Sequence, residues 1–135
     1  MHHLLERLRS EHSELEQALA AIRARQFRTD EGRQRLSRVQ ELLDNHVHTE
    51  KTELYPVLAK AARQDDRLAA RLKRMDDDLE IVTDLTRTFC TKYRNGELRL
   101  IEFATDHGAL MTILKIRLRR EEESVFPLYT ELTNN

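Results

Sequence analysis

The sequence predicts a soluble all-α protein, an antiparallel up-down-up-down four-helix bundle, on three observations. The chain has 135 residues, which suits a single domain spanning 1–135. It contains only 3 Gly and 2 Pro, and aromatic residues make up 5%, which is too few turn and strand formers for a β-rich fold. Apolar residues recur at spacings of three and four, so each of four long stretches has one apolar face. The short polar connections between these stretches favour antiparallel neighbours.

The first two helices are predicted from about His2 to Arg25 and from about Glu31 to Ala62. Each carries leucines at helical spacing, and each has ionisable residues within its apolar stripe. In the first helix the interruption is His12, and in the second it is His46 followed by Glu50. These side chains are therefore expected to face the bundle axis.

The third and fourth helices are predicted from about Arg67 to Tyr93 and from about Glu97 to Leu132, with an Arg-Asn-Gly turn between them. Their stripes are interrupted as well. The third helix has Asp78 beside an apolar position, and the fourth has Arg117 and Glu121 in its stripe. Every helix thus directs a polar side chain toward the core.

Composition and charge exclude several classes of function. The 23 Lys and Arg balance 24 Asp and Glu to a net charge of −1, so we expect no nucleic-acid partner and no anionic membrane surface. No apolar run approaches the roughly 20 residues of a membrane span. Cys90 stands alone and is expected to be buried in a protein of the reducing cytoplasm. With no phosphate loop, no nucleophile elbow and no obvious cleft, an enzyme is not predicted.

The ionisable residues inside the apolar stripes are the most informative feature. An isolated buried charge costs several kcal/mol, so inward carboxylates and histidines need partners. His46 and Glu50 are four residues apart and share one helix face, opposite His12 on the first helix. A metal ion held by side chains of facing helices would satisfy them. An internal hydrogen-bonded pair is the alternative for His46 and Glu50.

Two motifs are more specific than spacing alone. Residues 46–56 read HVHTEKTELYP, and residues 121–127 read EEESVFP. Together with His12, they resemble the hemerythrin-like, or HHE cation-binding, family of four-helix bundles. In that family a helix 2 histidine is followed by Glu after four residues and by Pro after ten. The resemblance covers essentially the whole chain.

The resemblance implies a non-heme di-iron centre with several histidines and two bridging carboxylates. Ligand positions of the family are occupied here by His12, His46, Glu50 and Glu121. At two further positions the family has a ligand histidine and this sequence has another residue. The position on helix 4 is Arg117, and the position on helix 3 falls at Asp78 or, with a shift of one residue, at Asp77.

These losses affect one half of the family's centre, because one metal takes the histidines of helices 1 and 2 and the other takes those of helices 3 and 4. We therefore predict a reduced, mononuclear site that holds one iron or another divalent metal such as zinc. An ion pair between Asp78 and Arg117 is predicted where the second metal would sit.

By analogy with the family, the function is expected to be oxygen, nitric oxide or redox sensing, or iron handling, with a small diatomic molecule as ligand. The alternative is a bundle without metal that acts as a regulatory or scaffolding module. A protein partner and assembly into a homo-oligomer are both compatible with the sequence.

The remaining candidates are expected to lie outside the site. His48 is two residues from a predicted ligand and so points to the opposite face of its helix. His107 is ten residues before Arg117, about 15 Å along the helix axis. Tyr55 and Phe126 are expected to pack in the core or at its end. The acidic residues that follow Glu121 are expected to form a solvated charge run.

Overall fold

The computed structural model describes residues 3–23, 29–95 and 99–134, and the regular secondary structure of these residues is helical throughout. In chain order the elements are α1 (His3–Ala20), α2 (Asp30–Thr49), a π-helical segment (Glu50–Leu54), α3 (Tyr55–Ala62), α4 (Asp66–Asn95), α5 (Leu100–Ser124) and α6 (Phe126–Thr133). Because α2 continues through the π-helical segment into α3, and α6 continues α5, the elements make four rods. The predicted all-α four-helix bundle is confirmed.

The four rods form a closed ring. Helix α1 contacts α2 and α5, and α4 also contacts both α2 and α5. Side-chain pairs fix the relative direction of neighbours. Arg7 pairs with Glu53 at one end of the α1–α2 contact. Glu14 pairs with Arg38, farther along α1 but earlier in α2. Pairs between the other neighbours follow the same reversed order, as expected for adjacent helices that run in opposite directions.

Side-chain oxygens cap the starts of α2 and α4. The hydroxyl of Thr29 accepts a hydrogen bond from the backbone N–H of Gly32 at 3.0 Å. The Asp65 carboxylate accepts bonds from the N–H groups of Arg67 and Leu68, both at 3.1 Å. These bonds satisfy donors that a helix start leaves without partners. Both helices begin within one residue of the predicted position.

Two predicted helix ends were wrong. The first helix ends at Ala20 and not near Arg25, because the Ile22 N–H bonds to the carbonyl of Leu19, three residues back, in a turn tighter than the α-helix. Residues 24–28 lie outside the described part of the chain. The last long helix begins at Leu100 rather than near position 97, and residues 96–98 also lie outside the described part.

The second and fourth rods were each predicted to be one continuous α-helix, and both predictions were wrong, because each rod is interrupted. In the π-helical segment the Tyr55 N–H bonds to the Glu50 carbonyl, five residues back. Pro56 follows directly, and α6 likewise has Pro127 in its first turn. A proline lacks the N–H of the α-helical ladder and its ring clashes with the carbonyl four residues earlier. The two prolines thus account for both interruptions.

Two apolar clusters fill the bundle, and a polar layer lies between them. The large apolar cluster consists of Leu15, Leu19, Ile22, Leu36, Val39, Leu43, Val82, Phe89, Cys90, Tyr93, Phe103, Leu110, Leu114 and Leu118. The small apolar cluster consists of Leu5, Leu8, Leu54, Leu58, Val125 and Phe126. On α1 the buried His12 falls between Leu8 of the small cluster and Leu15 of the large one. None of the described helices has the length and hydropathy of a membrane span.

Candidate metal centre

Four ionisable side chains meet in the polar layer between the two apolar clusters. They come from α1, from α2 with the π-helical segment that follows it, and from α5. At most 9% of any of these residues is exposed, and one ligand atom from each lies within 4.8 Å of the others. We call them the His–Glu cluster: His12, His46, Glu50 and Glu121. The structure brings together all four residues that the sequence analysis singled out as metal ligands.

The inner nitrogens and the carboxylates of this cluster point at one another. The Nε2 atoms of His12 and His46 lie 2.9 Å apart. Glu121 Oε1 lies 3.1 Å from Nε2 of His12 and 3.9 Å from that of His46. Glu50 Oε1 lies 2.5 Å from Nε2 of His46. The His–Glu cluster is therefore a set of potential ligand atoms that converge on one small volume.

The outer nitrogens of both histidines contact carboxylates outside the cluster. Nδ1 of His46 lies 2.8 Å from Glu11 Oε1, and Nδ1 of His12 lies 3.2 Å from Glu122 Oε1. A carboxylate accepts a hydrogen bond, so each Nδ1 is the atom that carries a proton. In a neutral imidazole the Nε2 lone pair then points into the cluster. This is the arrangement that orients histidines toward a metal in proteins.

Glu11 and Glu122 were missed by the sequence analysis, which placed Glu122 in a solvated charge run. Each lies next to a cluster residue in the chain but binds a histidine on another helix. Glu11 precedes His12 and contacts His46. Glu122 follows a cluster carboxylate and contacts His12. Only the position of an acidic residue beside a predicted ligand could have signalled them.

The Glu50 carboxylate lacks adequate compensation among the described residues. The residue has no exposed surface, and neither carboxylate oxygen has a hydrogen-bond partner in the described part of the chain. Its 2.5 Å contact with His46 does not have hydrogen-bond geometry. A buried carboxylate without partners carries a large free-energy cost. A cation among the converging acceptor atoms would remove this cost, so the residues present fit a bound metal ion.

Protonation of the histidines is the other way to balance the cluster. Burial lowers the pKa of His12, but Glu121 and Glu50 outweigh burial and raise this pKa to about 9. Burial opposes the charge of His46 as well, and the carboxylates of Glu11 and Glu50 raise its pKa to about 10. Without a metal, both imidazoles are therefore cationic at neutral pH.

The two carboxylates of the cluster share one proton. Burial and then the neighbouring charge of Glu50 raise the pKa of Glu121 to about 8. Burial raises the pKa of Glu50, but the nearby Glu121 and both histidines outweigh burial and lower this pKa overall. At neutral pH the metal-free cluster therefore holds one proton on the pair of Glu50 and Glu121.

Tyr55 lies beside the cluster, although it was expected only to pack. Its hydroxyl oxygen is buried and has no hydrogen-bond partner among the described residues. Burial and then the charges of Glu50 and Glu121 raise its pKa above the ordinary range. In a regular α-helix, residues five apart point in directions about 140° apart. The π-helical segment brings Tyr55 toward Glu50, and no spacing argument based on an α-helix predicts this.

Asp78 and Arg117 form an ion pair across α4 and α5, next to the His–Glu cluster. Of the two side chains, 29% and 24% are exposed, and Arg120 Nη1 lies 3.9 Å from the other carboxylate oxygen of Asp78. Asp77, the alternative considered for the helix 3 position, is exposed. The pair exists as predicted, and its substitution for a second metal stays a prediction.

The other candidates lie where they were expected. His48 is exposed, and His107 donates from Nε2 to the carbonyl of Leu19 at 2.8 Å, away from the cluster. Phe126 is buried and stacks on the ring of His12 with 5.7 Å between centroids. It packs in the core and also covers one face of a cluster histidine. His2 lies outside the described residues.

Comparison with known proteins identifies one family. The sequence model of the hemerythrin HHE cation binding domain matches residues 3–129, which is nearly the whole chain. Neither the curated proteins nor the solved structures contain a significant match.

Proposed function

Because the chain belongs to the hemerythrin HHE cation-binding domain family, we propose that it binds one divalent metal ion in the bundle core. The proposed ligands are the four residues of the His–Glu cluster. We further propose that the ion pair of Asp78 and Arg117 takes the place of a second metal ion. A guanidinium beside a carboxylate supplies a fixed positive charge where that ion would otherwise be needed.

One observation carries this proposal. Each cluster histidine has a carboxylate on Nδ1, while its Nε2 is directed at the other acceptor atoms of the cluster. Two imidazole lone pairs and two buried carboxylates then converge without a donor between them. A divalent cation satisfies all four, and Glu11 and Glu122 hold the imidazoles in the tautomer that binding requires.

Non-heme iron is the metal we propose, on the basis of the family. Two imidazoles and two carboxylates suit Fe(II), Mn(II) and Zn(II) alike, so the ligand set does not select among them. When bound to these four residues, iron would supply redox chemistry. Sensing of oxygen, nitric oxide or redox state, or iron handling, is the function we propose by analogy with the family. We propose a binding role and not an enzyme.

The chain's own residues set the proton balance of binding. The imidazoles of His12 and His46 must lose protons from Nε2 before these atoms act as ligands, and Glu121 must ionise. Their pKa values are about 9, 10 and 8 without metal. Metal affinity should therefore increase with pH up to about pH 10, where the last of these protons is lost.

The test is a metal titration of metal-free protein with Fe(II) under anaerobic conditions and, separately, with Zn(II). We expect saturation at one ion per chain, and a loss of affinity of about a hundredfold or more in His46→Ala. His48→Ala is the matched control, because His48 is exposed on the same helix. Equal affinity of His46→Ala and the unaltered protein would refute the proposal.

A second candidate function is a metal-free bundle that regulates or scaffolds another protein. The distances favour it in one respect, since Nε2 of His12 lies within hydrogen-bond distance of Glu121 Oε1, at 3.1 Å. With protonated histidines, the cluster can close as an internal hydrogen-bonded network. Protein that folds normally and binds no metal under any condition would favour this candidate.

A further inference from the structure

The exposed large apolar side chains are confined to two neighbouring helices. Among the described residues, these side chains all lie on α4 and α5, with exposures from 40% for Leu85 to 86% for Ile101: Ile81, Leu85, Leu100, Ile101 and Ile116. Single exposed apolar residues are ordinary on a protein surface, whereas a contiguous patch of them marks an interaction site. Their arrangement on α4 and α5 decides which of these two cases applies.

An apolar strip runs along the outer side of the contact between α4 and α5. On α4, Ile81 and Leu85 are four residues apart and so share one helix face. On α5, the exposed Ala109 and Ile116 flank the half-buried Ile113 at spacings of four and three. Leu85, Ala109 and Ile113 line a groove of about 240 Å³ between the two helices. We call these five residues the apolar strip, because they form a contiguous patch.

Charged side chains that pair across the groove close both ends of the apolar strip. One end, which we call the acidic end, has one lysine and two carboxylates: Lys92, Glu102 and Asp106. The other, which we call the arginine end, has three arginines and two aspartates: Arg74, Arg117, Arg120, Asp77 and Asp78. Negative charges are in excess at the acidic end, and positive charges are in excess at the arginine end. The two ends thus carry opposite net charge.

This face is complementary to a second copy of itself. In a dimer with two-fold symmetry both chains use the same patch, and each point of the patch meets its symmetry mate. An axis that crosses α4 and α5 at right angles near Leu85 lays one apolar strip on the other. It also brings the arginine end of each chain onto the acidic end of the other, so opposite net charges meet twice. A nucleic acid or an anionic membrane presents one sign of charge, and the acidic end would repel it.

The face is large enough for a dimer of moderate stability. From Glu102 to Arg120, α5 extends about 27 Å at about 1.5 Å per residue, and two adjacent helices are about 20 Å across. The face therefore covers on the order of 500 Å² in projection, and its accessible area is larger because side chains protrude, whereas stable complexes bury about 800 Å² on each partner. We therefore expect a dissociation constant in the micromolar range.

We propose that the apolar strip with its two charged ends is a dimer interface, and that its occupant is a second copy of this chain related by that two-fold axis. Contact removes the exposed apolar surface of both chains from water at once, which drives association. The opposite charges at the ends fix the relative orientation of the chains. No residue of the His–Glu cluster belongs to this face, so the dimer does not depend on metal binding.

The test is sedimentation equilibrium of the full chain, metal-free and iron-loaded, at concentrations from about 1 to about 500 µM. The average mass should rise from that of one chain to that of two, with or without iron. Ile116→Glu should raise the dissociation constant about a hundredfold or more, because the strip of both copies gains a buried charge. Ile101→Glu is the matched control, since Ile101 is the more exposed isoleucine on the same helix and lies outside the strip.

The roles of charge and symmetry are tested by separate variants. Arg120→Glu should raise the dissociation constant about tenfold or more, because like charges then meet at both ends. Arg119→Glu is its control, since Arg119 is exposed and belongs to neither end. Leu85→Cys should form a disulfide between two chains under mild oxidation, because the residue at the axis meets its own copy. Ile101→Cys should not, and the native Cys90 is buried.

Three results would overturn the proposal. The first is a monomer at every concentration, which would leave the face to a different protein. The second is equal weakening by Ile116→Glu and Ile101→Glu, and the third is a dimer that Leu85→Cys does not link. Circular dichroism checks the fold of each variant. If Ile116→Glu unfolds the chain, Arg120→Glu still decides, because 63% of the Arg120 side chain is exposed.

Discussion

The polar layer of the bundle has two sides, and they differ in how their charges are compensated. On the side of α1 and α2, the His–Glu cluster gathers ligand atoms that are all acceptors when its histidines are neutral. On the side of α4, Asp78 and Arg117 bring opposite charges into contact. The cluster is at most 9% exposed, whereas about a quarter of each side chain of the ion pair reaches solvent.

This difference explains why a cation is expected on one side only. The ion pair is neutral as a unit, and partial exposure to water reduces its desolvation cost. The cluster has no fixed positive charge of its own, so it needs protons or a metal ion to balance Glu50 and Glu121. Substitutions that remove a charge from the cluster, or that replace the ion pair with histidines, therefore test this explanation.

The largest effect is expected when the cluster loses a buried negative charge. In Glu50→Gln, metal affinity should fall by about several hundredfold, since a ligand carboxylate becomes a neutral amide. Glu53→Gln is the matched control, because Glu53 lies on the same π-helical segment with its side chain 49% exposed. Isothermal titration with Zn(II) measures both. Equal losses in the two variants would mean that segment stability, and not ligation, is responsible.

The pH dependence of the metal-free protein is the next largest effect. The folded chain keeps protons on His12 and His46 up to pH values of about 9 and 10, whereas the unfolded chain releases them near 6.5. The stability they provide is complete below pH 6.5 and is lost as pH rises toward 9 or 10. Glu121, with its pKa raised to about 8, acts in the same direction from pH 4.5 upward.

Each of the two histidines contributes a loss on the order of 3 kcal/mol in the free energy of unfolding between pH 6.5 and 9, and Glu121 adds to this loss. Urea denaturation of metal-free protein at a series of pH values measures it. Saturation with metal should reduce the slope, because the ligands then carry no exchangeable protons. A flat curve from pH 5 to 8 without metal would contradict the account.

Histidines on the side of the ion pair should convert it into a second cluster. In the double variant Asp78→His, Arg117→His, the fixed charges disappear and two imidazoles take their place beside Glu121. We expect a second metal ion to bind, more weakly than the first, and elemental analysis to show two ions per chain. Arg119→His with Asp77→His is the matched control on exposed positions. One ion per chain in both double variants would contradict the proposal that the ion pair takes the place of a second metal ion.

A smaller effect is expected from the carboxylates behind the histidines. Glu11→Gln should lower metal affinity about tenfold, because Nδ1 of His46 loses its anionic acceptor. Glu14→Gln serves as control, since Glu14 pairs with Arg38 on the surface with its side chain 52% exposed. Competition with a chelator of known affinity measures both variants. An affinity unchanged in Glu11→Gln would limit the site to the four cluster residues.

The sequence was sufficient for the parts of the molecule that depend on helical spacing. Leucines every three or four residues predicted the rods, and His46 with Glu50 on one face predicted half of the cluster. The ion pair of Asp78 and Arg117 followed from two family positions of opposite charge. The rods and the pairing of His46 with Glu50 repeat with the period of one helix, so they are visible in a linear chain, whereas the ion pair between two helices was predicted only through the family resemblance.

The parts that the sequence did not predict depend on departures from that period or on contacts between helices. Tyr55 reaches the cluster only because the π-helical segment changes the register before Pro56. Glu11 and Glu122 each bind a histidine of another helix, which depends on the rotation of neighbouring rods. The first helix ends early in a tight turn at Ile22, which the helical spacing of the apolar residues does not show.

The most direct test of the central claim is the metal content of the unaltered protein. The protein is purified without a histidine tag, reconstituted with iron aerobically and anaerobically, and measured by elemental analysis. The account predicts one iron per chain, lost in His46→Ala and in Glu50→Ala. Two irons per chain would contradict the role given to Asp78 and Arg117, and folded protein without metal under every condition would contradict the metal site itself.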